Sequence, residues 1–134
     1  MSEQTFRLLL NSTYDESEKV PDFVTKIQVK CNIDDDTTGT LMLLLSEAVT
    51  NAIVHGNKLD PAKTVNIEVH INEKQIISTV KDQGEGFKPE EAANPLDEEN
   101  LLKSSGRGIF LMQQLSEHVD YEEDGTKLRF TLQR

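Results

Sequence analysis

The sequence predicts an α+β two-layer sandwich, a mostly antiparallel mixed sheet with helices on one face. Three observations carry this. Alternating apolar segments meet at two short turn signals, Asn72-Glu73-Lys74 and Asp124-Gly125, so hairpins dominate the strand pairing. Two segments ahead of the first hairpin carry the 3.6-residue apolar spacing of helices. The chain has 134 residues, 36% of them hydrophobic, which suits one domain (1–134) with a core that needs no disulfides.

The elements follow in order. Residues 5–11 read as a first strand. A helix is expected from about residue 16 to 31, with Val20, Phe23, Val24, Ile27 and Val29 as apolar positions and Pro21 near its first turn. Asp34, Asp35 and Asp36 then supply the acid that a helix N-terminus favours, and a long helix should run from about 36 to 55, stopping at Gly56-Asn57. Gly39 weakens it by about 1 kcal/mol at most, because it lies in the first turn. Val65, Ile67, Val69 and Ile71 alternate with polar residues as one strand, and residues 76–80 form its hairpin partner. Residues 83–105 are rich in Gly, Pro, Asn and acid, and read as a long loop, of a length usually functional or mobile in a compact domain, with a helical turn near 97–102. A helix over 107–117, with Ile109, Met112 and Leu115 facing the core, precedes two last strands near 118–122 and 126–133.

Composition narrows the function. The net charge of −10 argues against nucleic-acid binding, which calls for a basic patch, and favours a basic protein partner. The lone Cys31 fits a reducing compartment. The apolar run near residue 41 is too short to span a bilayer, and the N-terminus lacks a basic segment followed by an apolar one. A cytoplasmic location is expected.

Three segments carry chemistry. In Ser46-Glu47-Ala48-Val49-Thr50-Asn51-Ala52-Ile53-Val54-His55-Gly56, the polar residues Glu47, Asn51 and His55 recur every four positions and share a helix stripe. Leu41, Leu45, Ala48, Val49 and Ala52 form the apolar stripe beside it. Alone, such a polar stripe is as readily a solvated flank. Its functional reading rests on a carboxylate able to accept a proton and an amide oxygen suited to Mg²⁺. In Lys81-Asp82-Gln83-Gly84-Glu85-Gly86-Phe87, a carboxylate ends a strand and glycines open a turn, where it can accept a hydrogen bond from an exocyclic amine such as that of adenine. A plain turn fits this segment as well, and a calcium loop fits it poorly. In Ser104-Ser105-Gly106-Arg107-Gly108-Ile109, two glycines precede an amphipathic helix whose free N–H groups can hold an anion, with Arg107 between them. No P-loop, eukaryotic kinase signature, cysteine pair or Ser-His-Asp set is present.

In this order the three segments resemble the N, G1 and G2 boxes of the GHKL (Bergerat-fold) ATPases, the superfamily of histidine-kinase catalytic domains. Gly125-Thr126 is similar to that fold's further glycine-threonine element. The first segment looks most like bacterial anti-sigma factors that are also serine kinases. The resemblance implies Glu47 as catalytic base, Asn51 as the Mg²⁺ ligand, and Asp82 as the reader of the adenine amine with Gly84 and Gly86 shaping that end. It implies Gly106, Arg107, Gly108 and Ile109 on the phosphate side, Thr126 near the base, and His55, Lys103 and Ser105 among the nucleotide-binding positions. It further implies ATP or ADP with Mg²⁺, a STAS-type anti-anti-sigma protein or a sigma factor as partner, and room for a homodimer. One departure stands out. Between Gly86 and Gly106 five residues are acidic (Glu90, Glu91, Asp97, Glu98, Glu99) against Lys88 and Lys103, which weighs against closure over phosphates. The competing readings are an ATP-binding anti-sigma or switch module without turnover, a detached histidine-kinase catalytic domain, and a plain α/β domain without nucleotide. The detached domain is disfavoured by the lack of a phosphoacceptor helix before residue 5.

Overall fold

The computed structural model describes residues 3–84, 114–123 and 126–134. Strand β1 (Gln4–Asn11) leads through a 3₁₀ turn (Tyr14–Glu18) into α1 (Lys19–Cys31) and α2 (Asp35–Asn51), which continues as a π-helical turn (Ala52–Gly56). Strands β2 (Thr64–Ile71), β3 (Gln75–Lys81), β4 (His118–Glu122) and β5 (Lys127–Gln133) complete the described elements. They form one sheet in the order β1-β2-β3-β5-β4, and all four pairings are antiparallel. The α+β expectation holds. The parallel component of a mixed sheet is absent among the described strands, because β2–β3 and β4–β5 turn back on themselves and β5 runs against β3.

Register explains the layers. Leu8, Ile67, Val80 and Leu128 lie side by side across four strands, as do Phe6, Val69, Ser78 and Phe130 in the next row. This face is buried under the helices, with Val65, Ile67, Val69, Ile76 and Phe130 at or near zero exposure. The opposite face is polar and laced with cross-strand pairs such as Arg7 Nε to Glu68 Oε2 (3.1 Å) and Arg129 Nη1 to Glu122 Oε1 (3.2 Å).

The first helix starts later than its periodicity suggests. A helix from residue 16 would drive the Pro21 ring into the carbonyl of Ser17, so the chain takes a 3₁₀ turn first and places Pro21 in the first turn of α1. Val20, Val24, Ile27 and Cys31 are buried at alternating steps of four and three. Val29, one of the apolar positions of the expected helix, is 77% exposed because it stands two residues from Ile27, on the far side of the helix. Asn32 ends α1 in the left-handed region at φ 55°.

Asp34 caps α2, its Oδ1 accepting from the Thr37 N–H at 2.6 Å, and this bond holds its carboxyl below the usual range. Leu41, Leu45, Ala48, Val49 and Ala52 are all buried, as their spacing predicts. By length and composition the continuous 22-residue helix Asp35–Gly56 is apolar enough to cross a bilayer, although its longest apolar run is short. Here it packs that apolar face on the sheet. Leu115 corrects another expectation. It is 44% exposed, because helical structure ends there and Glu117 N–H already bonds Thr131 C=O at 2.7 Å to start β4. The helical turn at 97–102, the start of the helix over 107–117 with Ile109 and Met112, most of the 83–105 loop and the Asp124-Gly125 turn lie outside the described residues.

Candidate functional site

The site begins where α2 stops being an α-helix. Over Ala52–Gly56 the turn widens, and the Asn57 N–H bonds the Ala52 carbonyl five residues back at 2.8 Å. Such π turns concentrate at functional sites. Lys58 and Leu59 then take φ of 53° and 59°, an uncommon left-handed pair outside glycine that reverses the chain toward β2. Glu47 and Asn51 lie one turn apart on α2 and are half-buried, whereas His55 sits in the π turn and is exposed. Widening breaks the regular four-residue spacing between Asn51 and His55, so the polar stripe is regular only as far as Asn51.

Asn57 ties this helix end to three strands. It is fully buried. Its Nδ2 donates to Ser12 Oγ (2.7 Å) and to the Thr64 carbonyl (2.9 Å), while its Oδ1 accepts from the Gln83 N–H (2.7 Å). The Ser12 hydroxyl in turn donates a hydrogen bond to the Lys63 carbonyl at 2.9 Å. Gln83 Oε1 in turn accepts from the Thr64 N–H at 2.7 Å. Every polar atom of the Asn57 side chain thus has a partner, as burial requires.

Asp82 follows β3 and packs directly on the helix end. Its N–H bonds the Thr126 carbonyl (2.8 Å), and its Oδ1 accepts from the Gly84 N–H (2.8 Å). A Cβ on Gly56 would lie 2.4 Å from Asp82 Oδ2, and one on Gly84 would lie 2.0 Å from the Gly56 carbonyl oxygen. Both positions therefore need glycine for close approach rather than for an unusual φ. Asp82 keeps 9% of its surface accessible, and among the described residues Oδ2 accepts no hydrogen bond. Burial pushes its carboxyl above the ordinary range, only partly offset by the Gly84 N–H and then by Lys81 and Lys63. A largely buried carboxylate with one oxygen unpaired among the described residues suits a hydrogen-bond donor from a ligand.

The structure thus brings Asp82, Gly84 and Thr126 together with Gly56, the last residue of the first motif. The Thr126 hydroxyl donates to the Glu123 carbonyl at 2.8 Å, within its own turn. Glu47, Asn51 and His55 make no side-chain hydrogen bond or ion pair among the described residues. Gly86, Lys103, Ser105, Gly106, Arg107, Gly108 and Ile109 lie outside the described residues. Sequence reasoning missed Asn57, Ser12 and Gln83. The one signal was Asn57 itself, read as a helix stop although its amide could serve as a hub.

The histidine kinase-like ATPase domain model matches residues 10–132, nearly the whole chain. This chain belongs to that family. The resemblance drawn from the three motifs is borne out. Curated relatives of this histidine kinase-like ATPase domain include an anti-sigma F factor of Clostridium perfringens, 43% identical over 89 residues, covering 63% of this chain and 64% of that protein. Another is the anti-sigma F factor of Geobacillus stearothermophilus, 39% identical over 98 residues, covering 69% of this chain and 67% of that protein. The alignment thus spans slightly less than two thirds of the first of these relatives. Use of ATP or ADP follows from the ATPase family.

Proposed function

We propose that this chain is an anti-sigma regulatory factor that binds Mg-ATP and phosphorylates a serine of a STAS-type anti-anti-sigma protein in the cytoplasm. One observation carries the reading most: the buried Asp82 carboxylate is packed on Gly56, at the end of the helix that bears Glu47 and Asn51. Motif residues that lie apart in the chain are neighbours there. The family match and the anti-sigma names of the relatives support the partner class.

Each residue has a role that its chemistry allows. Asp82 accepts from the adenine amine, and Gly84, Gly86 and Thr126 border the base. Asn51 offers an amide oxygen to Mg²⁺, a hard ligand of the kind that ion takes alongside phosphates and waters. The ion, when bound, neutralises charge on the phosphates. Glu47 takes the proton of the attacking serine hydroxyl as its oxygen bonds the γ-phosphorus and the bond to the β-phosphate oxygen breaks, releasing ADP. Gly106, Arg107, Gly108 and Ile109 would line the phosphate side, with Lys103, Ser105 and His55 as further nucleotide-binding positions. A homodimer and a sigma factor held inactive belong to the same proposal.

The test is transfer of γ-labelled phosphate to partners co-purified from the native cell. The expected result is a labelled serine on a small partner, lost in Glu47→Gln while ATP binding stays near wild type. Nucleotide-sensitive complex formation with no labelled partner would instead establish a switch module without turnover. The acidic 86–106 segment favours that second reading.

A further inference from the structure

We infer that Asn57 is the positioning residue that sets adenine selectivity, by bracing the turn that aims the Asp82 carboxylate. This rests on the adenine-nucleotide reading proposed above. The two halves of the Asn57 amide do different work. Nδ2 joins the start of β2 to Ser12, which is a structural tie. Oδ1 holds the Gln83 N–H at 2.7 Å, and that peptide follows Asp82 directly. Gln83 is anchored again through its own side chain to the Thr64 N–H. Asp82 is thereby held at its N–H by Thr126, at Oδ1 by Gly84, and at the next peptide by Asn57.

Asn57 is also the neighbour of Gly56, on which the carboxylate rests. The helix end that carries Asn51 and the turn that carries Asp82 therefore share one brace. Without the Oδ1 acceptor, the 82–84 turn loses a buried partner and its carboxylate can swing. An amine donor then loses its advantage over a carbonyl at the same position of a purine. Inosine triphosphate makes that change and leaves the triphosphate intact, so the ATP-to-ITP affinity ratio reports the aim of Asp82. Loss of fold stability alone does not alter that ratio.

The experiment is calorimetric titration of ATP and ITP into the full chain and three variants. Asn57→Ala is expected to lower the ATP-to-ITP ratio about fivefold, the worth of roughly one hydrogen bond. Asn57→Asp keeps an acceptor facing Gln83 and should retain the wild-type ratio despite lower stability. Ser12→Ala should lower the melting temperature with the ratio unchanged. A folded Asn57→Ala with the wild-type ratio overturns the inference. Should that variant not fold, the wild-type protein decides. The Asn57 side-chain amide resonances are expected to shift more with ATP than with ITP, and equal shifts overturn it. Wild-type protein that binds neither nucleotide overturns the nucleotide reading itself. Wild-type binding of ATP with selectivity insensitive to Asn57 overturns only the brace.

Discussion

Asp82 concentrates the conflict between stability and binding in one side chain. Its burial raises the carboxyl pKa, so the native state holds the proton at pH values where the unfolded chain, with a carboxyl near 3.8, has released it. Because the native state binds more protons in that window, this residue makes stability fall as pH rises from 3.8 through the raised native value. Asp82→Asn should therefore raise the melting temperature of the nucleotide-free protein near neutral pH and flatten that part of its pH profile. It should also abolish ATP binding, measured by calorimetry. A destabilised Asp82→Asn would mean that the carboxylate is not the burdened group. Gly84→Ala tests the packing under the same carboxylate. The added methyl would meet the backbone carbonyl of Gly56 at 2.0 Å, and backbone yields little. A loss of about 3 kcal/mol, the upper end for overpacking, is expected as a lowered urea midpoint.

At the scale of elements, α2 does two jobs with two faces. Its buried Leu41, Leu44, Leu45, Ala48 and Val49 seat it on the sheet, while Glu47 and Asn51 remain half-buried on its flank. Gly39 contributes to neither. A Cβ there meets nothing within 4 Å, so no close approach requires glycine. Gly39→Ala should stabilise the protein by about 0.5–1 kcal/mol through the unfolded chain, read as a higher urea midpoint with unchanged ATP affinity. The same substitution type thus has opposite signs at Gly39 and Gly84, and the difference lies in tertiary contact. The alternation of Val65, Ile67, Val69 and Ile71 was legible in the sequence because a strand against one core needs only period two. The delayed start of α1 was not fully legible, since Val20 to Cys31 repeats like a helix whether or not the turn ahead of Pro21 is 3₁₀.

For the whole molecule, the proposal is that motifs spread from Glu47 to Thr126 serve one nucleotide. Ligand that binds the native state alone stabilises it by mass action, about 2.7 kcal/mol at a hundredfold excess over Kd. Mg-ATP and Mg-ADP should each raise the melting temperature, and Asn51→Ala should abolish the magnesium-dependent part of the gain. No shift with either nucleotide in a calorimetric scan would leave a family member without the family's ligand. The net charge of −10 bears on partners at this scale, because long-range attraction of a basic surface speeds encounter at low ionic strength.

The sequence by itself determined the α+β class, the order of the described helices and strands, and the family, because these depend on residue type at local spacing. Tertiary structure alone decided the widened end of α2, the exposure of Leu115, and the role of Asn57. The reason is the range of the interactions. Asn57 draws on Ser12, 45 residues back, and Gln83, 26 residues ahead, and no local pattern encodes which distant groups a buried amide will meet.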